Sequence, residues 1–247
     1  MDDPWLLLNL AVLVAALFQA ATGLGFGLFA GPVLMLVLDD IAAVQIAILL
    51  SLMIALILAP QLRRQAEPRL LRQLLIGTVI GLPIGIMIYQ SVNLHTLKLL
   101  AGAVIAIMAL ASLKASRSTA PTIPGPPARS LEILVGALSG IMTASLAMPG
   151  PVPGAWMVMR AYPKAVIRAT ILCFFVPVYA LALSLQVAVA TVTLDTWSTT
   201  ATLIPATLVG LLCGKLLVSR IDERIFRLSF TMLLLATAVS LLISGSQ

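Results

Sequence analysis

Apolar residues run along this chain in eight segments, at roughly residues 5–38, 41–59, 74–90, 94–113, 131–159, 169–190, 198–218 and 228–245. Each is read as a helix, because in lipid a helix satisfies its own backbone N–H and C=O groups and an open strand cannot. Six of the eight are close to the length that spans a bilayer; the first and fifth are much longer. An unbroken helix over 5–38 would run about 51 Å against a hydrocarbon core of about 30 Å. Both long segments are interrupted near the middle by glycine or proline, so each is expected to be a discontinuous helix.

Residues 114–130 separate the fourth and fifth segments and contain Ser-Thr-Ala-Pro-Thr-Ile-Pro-Gly-Pro-Pro, a composition that reads as a linker. The expected organisation is one membrane domain over 1–247, with a first repeat at 1–113, a cytoplasmic linker at 114–130 and a second repeat at 131–247. A weak internal echo accompanies the division. Gly31-Pro32 in the first segment resembles Gly150-Pro151 in the fifth, and Gly81/Gly85 in the third resembles Gly210/Gly214 in the seventh.

Charge decides the topology. If every segment crossed once, the 15 Lys and Arg would fall almost evenly on the two faces, against the positive-inside rule. If the first and fifth segments instead enter and leave on one side, as re-entrant hairpins or pairs of short crossings, every cation except Lys98 falls on one face. That face is then the cytoplasm, and both termini lie in the periplasm. Each half makes an odd number of net crossings, so the halves are inverted in the membrane. The predicted fold is an all-α integral membrane protein of two inverted repeats, each a broken or re-entrant first segment followed by three transmembrane helices.

Composition agrees with a membrane-embedded chain: 61% of residues are hydrophobic, 10% are charged, and the mean hydropathy is +1.12. The acidic start, Met1-Asp2-Asp3-Pro4, does not read as a cleaved signal peptide. The net charge of +6 is of the kind that cytoplasmic loops carry, so no nucleic-acid partner is inferred. Cys173 and Cys213 lie in apolar runs without CxxC spacing and are expected to be small core residues.

The interruptions carry the candidate chemistry. The first reads Gln19-Ala-Ala-Thr22-Gly23-Leu-Gly25-Phe-Gly27. Alternate glycines let the chain turn, expose backbone N–H groups and start a new helix whose positive dipole end attracts an anion. The fifth segment offers Thr143-Ala-Ser145 and then Met148-Pro149-Gly150-Pro151-Val152-Pro153-Gly154, where the prolines forbid a continuous helix and donate no backbone hydrogen bond. Donors there would come from Thr143, Ser145, Gly150 and the following turn. Arg168, at the start of the next helix, is expected to attract an anion at the cytoplasmic mouth. The bland reading of both glycine clusters is close helix packing through small residues. Discontinuous helices in corresponding halves are instead a pointer to a buried transport site.

No Asp, Glu or His falls deep inside an apolar segment; Lys98, His95, Lys215 and Glu132 lie near segment ends, where they are expected to snorkel or meet water. This argues against an intramembrane protease, against metal transport and against the usual proton relay. An anion leaving a cell with a negative interior needs no relay, because each charge gains about 2.3 kcal/mol per 100 mV. No metal or cofactor site is read.

The glycine-rich first segment ending in Gly31-Pro32, the Gly136-Ala-Leu-Ser-Gly140 run reaching Gly150-Pro151, the Arg168-Ala-Thr170 start and the closing Arg220-Ile-Asp-Glu-Arg224 together resemble the sulfite exporter TauE/SafE family over essentially the whole chain. The resemblance implies a secondary transporter of the bacterial inner membrane whose partners are the lipid bilayer and a small sulfur-containing anion, sulfite or an organosulfonate, moved outward. The chain departs from the family pattern at Leu146-Ala147-Met148, where a further glycine pair is usual. The residues alone leave open a transporter of small carboxylates or other organic anions, a passive anion channel, and a scaffold without flux. They do not give the oligomeric state.

Overall fold

The computed structural model describes residues 4–23, 26–38, 42–91, 128–189 and 193–217, with scattered positions in 96–110 and 222–243. Their order is α1 (Pro4–Thr22), α2 (Phe26–Leu38), α3 (Ala42–Leu62) with a 3-10 turn (Arg63–Gln65), α4 (Pro68–Ser91), α5 (Arg129–Leu146), α6 (Pro151–Met159), α7 (Lys164–Val189) and α8 (Leu194–Leu217). Among the described residues there is no strand, and six helices are long and apolar enough to cross a membrane: α1, α3, α4, α5, α7 and α8.

Both long segments are broken. The first ends α1 at Thr22 and restarts at Phe26; the second ends α5 at Leu146 and restarts at Pro151. The limbs are unequal. With 19 and 18 residues, α1 and α5 rise about 28 and 27 Å, enough to cross. With 13 and 9 residues, α2 and α6 rise about 20 and 14 Å, and α6 is too short to cross.

Packing follows the small residues. On α4, Gly77, Gly81 and Gly85 lie four apart on one face and meet the α5 backbone at Gly136, Ala137 and Ile141. A Cβ on Gly81 would strike the Ala137 carbonyl, and one on Gly136 the Leu74 carbonyl. The two backbones therefore touch, the small-residue contact that membrane helices use in place of a hydrophobic driving force. Thr78 donates across this interface to the Gly136 carbonyl at 3.1 Å, and Arg129 Nε donates to Gln73 Oε1 at 3.2 Å.

On α8, Gly210 and Gly214 do the same against α1, where their absent Cβ atoms would meet the Leu13 and Leu17 carbonyls. The glycine pairs at 81/85 and 210/214 thus serve one purpose: each lets the third full-length helix of its half lie against the long limb of the other half's broken segment. The most extensive helix contacts in the described residues are these two, α4 with α5 and α1 with α8, followed by α3 with α7.

Several boundaries differ from the sequence expectation. α4 begins at Pro68 and α7 at Lys164, so Arg69, Arg72 and Arg168 are helical. The long side chains of Arg69 and Arg72, both exposed, let the charge reach water while the backbone continues the helix. Arg129 and Ser130 belong to α5 rather than to the linker, whose residues 114–127 lie outside the described residues. Cys213 is exposed on α8, not a core residue, while Cys173 is half-buried beside the Ala59 carbonyl.

Candidate functional site

At the first break the chain leaves α1 through Gly23, whose φ of +84° is the left-handed conformation that glycine adopts without a steric penalty. The Gly23 N–H closes the last helical turn on the Gln19 carbonyl at 2.8 Å. Its missing Cβ is the other requirement, because that atom would lie 2.9 Å from Arg168 Cα. From α7, Arg168 Nε donates to the Ala20 carbonyl at 2.8 Å, capping the negative end of α1. Arg168 is therefore brought to the first break.

Gln19 and Thr22 are buried here. Thr22 donates to the Phe18 carbonyl of its own helix at 2.7 Å. Gln19 Nε2 donates to the Ser51 carbonyl of α3 at 3.2 Å, and its Oε1 has no hydrogen-bond partner among the described residues. Since Oε1 only accepts, Gln19 can reach an anion only through its second amide hydrogen. Gly25 lies outside the described residues. After the turn, Phe26, Gly27 and Leu28 open α2, and first-turn N–H groups have no partner within their own helix.

The second break is built differently. α5 ends on Ala147 with φ of 56°, its N–H on the Thr143 carbonyl at 3.0 Å and the Met148 N–H on the Met142 carbonyl at 3.3 Å. This is the helix end that ordinarily carries glycine; alanine there costs about 1 kcal/mol. Ala147 lies within Leu146-Ala147-Met148, the stretch where a further glycine pair is expected. Thr143 and Ser145, both buried, donate to Ser139 and Ile141 carbonyls of their own helix at 2.6 and 2.8 Å. Ser139 bridges the break by donating to the Pro149 carbonyl. Gly150 is the N-cap of α6. Because Pro151 and Pro153 carry no N–H, Gly150 and Val152 are the only backbone donors in that first turn.

The two breaks meet. A Cβ on Gly27 would collide with the Ala147 carbonyl and come within 3.4 Å of Met148 Cγ, and one on Gly31, a turn later, within 3.4 Å of Met148 Cε. The same Ala147 carbonyl accepts from the hydroxyl of buried Tyr179 on α7 at 3.2 Å, and Tyr179 stacks edge-on to Phe175 at 5.1 Å. The buried Ser51 hydroxyl has no hydrogen-bond partner among the described residues. Between the breaks lies a cavity of about 10 Å³ lined by Phe26, Gly27, Met148, Gly150, Phe175 and Tyr179 among others. That is room for about one water.

The broken-helix architecture now stands beside a direct comparison: a family model described as Sulfite exporter TauE/SafE matches residues 8–241. The chain belongs to the TauE/SafE sulfite exporter family. No curated protein and no solved structure matches it. Membership makes this TauE/SafE chain a multi-pass membrane transporter for sulfite or a related anion.

Two residues of the TauE/SafE junction carry no expectation from the sequence: Ser51 and Tyr179. Ser51 is a hydroxyl inside an otherwise apolar run, and Tyr179 a phenol deep within a span, so both carried a signal of a kind. Tyr179→Phe removes the donor on Ala147 and is expected to lower stability by about 1–2 kcal/mol, read as thermal unfolding in detergent. An unchanged midpoint would mean the carbonyl finds another donor.

One expectation is corrected. Glu132 does not meet water at its segment end: it is 1% exposed, in the first turn of α5. Nearby Tyr162, in the α6–α7 turn, has its phenol pushed above the usual range by burial and then by the Glu132 and Glu67 carboxylates, against the pull of Arg160 and Arg69.

Proposed function

We propose that this chain exports a small sulfur oxyanion or sulfonate across the bacterial inner membrane, holding it where the two broken segments meet. The approach of Gly27 to Ala147 and Met148 is the observation that carries the reading, because it sets the first turns of α2 and α6 at one junction. Both turns present the positive ends of their helix dipoles. The N–H groups of Phe26, Gly27, Leu28, Gly150 and Val152 then replace the anion's hydration shell. Gly23, with its left-handed φ, shapes the turn that aims them, and Gly25 is a candidate site residue by sequence alone. Thr143 and Ser145, their hydroxyl hydrogens committed to α5, shape the second half-site rather than donate. Arg168 supplies the fixed positive charge, with Nε on Ala20 and its remaining N–H groups toward the anion.

The halves are inverted repeats. In support, each half lends the long limb of its broken segment to the third full-length helix of the other, and α3 packs on α7. Such an exchange is what a two-fold axis in the membrane plane would produce. Both termini lie in the periplasm, following the positive-inside rule. A cavity of about 10 Å³ is too small to hold an oxyanion. Loading it requires the breaks to part, consistent with alternating access and not with a standing pore.

Substrate class is tested by competition. Counterflow of labelled sulfite by the purified protein in liposomes is expected to be inhibited by unlabelled sulfonates and not by carboxylates. Inhibition by carboxylates alone would reassign the substrate. Arg168→Gln is expected to raise the KM at least tenfold, a loss of roughly 1.4 kcal/mol or more for a charge-assisted contact, with Arg168→Lys recovering part of it. An unchanged KM in Arg168→Gln would remove that residue from the site.

A further inference from the structure

Glu132 is the one buried charged residue among those described, and no step of the anion site uses it. Its Oε2 has no hydrogen-bond partner among the described residues. It stands where three elements converge: Arg69 acts on it from α4, Glu67 from just before α4, and Arg160 and Tyr162 from the α6–α7 turn. A buried carboxylate is tolerated only when cations or donors hold it, and a bare oxygen is the place where a proton can be taken up without breaking an existing bond.

The turn opposite is backbone-strained. Ala161, between Arg160 and Tyr162, has φ of 58°, a left-handed conformation unfavourable for alanine. It is held there by the N–H groups of Arg160, Ala161 and Tyr162 on the carbonyls of Trp156, Val158 and Met157, each at 3.0 Å. The Arg160 guanidinium lies 5.8 Å from the Trp156 ring centroid. The turn is thus tied to α6, the short limb of the second break, and through Arg160 to Glu132.

We propose that Glu132 is a proton-binding site through which this chain couples anion movement to a proton. Ionised, Glu132 draws Arg69 and Arg160 together and fixes the α6–α7 turn against α4. When cytoplasmic water delivers a proton to Oε2, both cations lose their common counter-charge and the turn, with α6, is free to move. The coupling, though not the proton binding, rests on the transport reading above.

The test uses the full-length protein in phosphatidylethanolamine and phosphatidylglycerol liposomes. Infrared difference spectra across a pH titration are expected to contain the carbonyl stretch of a protonated carboxylic acid that is missing in Glu132→Gln. Arg69→Gln, which keeps Glu132, is expected to move the midpoint of that band to higher pH by about one unit, because an attracting cation is lost. Flux is measured with a labelled alkanesulfonate, whose charge does not change with pH, at clamped zero potential. A pH gradient is expected to stimulate wild-type flux severalfold and to have no effect on Glu132→Gln. Identical titrating bands in wild type and Glu132→Gln would overturn the proton site. Gradient stimulation persisting in a folded Glu132→Gln protein would overturn the coupling. If the wild type carries no alkanesulfonate, the transport reading fails separately and the infrared titration still decides the proton site.

Discussion

Gly27→Val is expected to abolish anion flux in a protein that still folds. The site depends on two backbones touching, and Gly27 is where they touch: any Cβ there meets the Ala147 carbonyl, and a branched one also meets Met148. Met148 is flexible and can withdraw. The carbonyl cannot, being fixed by the Tyr179 hydroxyl and by the end of α5. The breaks must therefore separate, carrying the first-turn N–H groups of α2 away from those of α6. A displacement of about 1 Å between groups that act together costs on the order of a hundredfold in rate. Flux in liposomes, beside circular dichroism to establish the helical fold, measures the effect, and Gly27→Ala should fall between wild type and valine. Wild-type flux from a folded Gly27→Val protein would mean that the junction is not on the anion's path.

The second large effect is on assembly. Gly81→Leu places a side chain where the Ala137 carbonyl lies, and Gly210→Leu places one where the Leu13 carbonyl lies. Neither interface has a flexible neighbour to give way, so each helix pair must part along several turns. Overpacking a tight interface costs typically about 1–3 kcal/mol, and these positions, with backbone as the obstacle, belong at or above the top of that range. Both variants are expected to lose most of the monodisperse folded fraction in size-exclusion chromatography, and to similar extents, because the two interfaces play matching roles in the two halves. If Gly81→Leu is tolerated while Gly210→Leu is not, the halves are not equivalent and the inverted-repeat reading weakens.

What could be read along the chain was whatever depends on local covalent chemistry. The breaks are visible because Gly23 needs a left-handed φ and because Pro151 and Pro153 lack an N–H; both are properties of the residue itself. The purpose of Gly81/Gly85 and Gly210/Gly214 was half visible, since spacing places each pair on one helix face but not against which partner. What could not be read depends on who meets whom. Arg168 meets Ala20 from across the chain. Tyr179 donates to the carbonyl of Ala147, a residue that turns left-handed, and an alanine gives no warning of that.

Glu132 misled for a related reason. Its position near the end of an apolar run is the position of a residue that reaches water, and only the packing of α4 and the α6–α7 turn over it removes that option. Arg69 and Arg72 misled in the opposite sense, looking like loop charges while their backbones already belong to α4. Net hydropathy places a helix in the membrane; it does not set which turn of the helix meets the headgroups.

The most direct test is the flux of labelled sulfite through the purified wild-type protein in liposomes under an imposed membrane potential. Transport that saturates with sulfite, accelerates when the potential drives the anion outward, and is blocked by sulfonates is the predicted result. Folded protein that carries no sulfite at any potential would contradict the assignment of the junction between the two breaks as a sulfur-anion site.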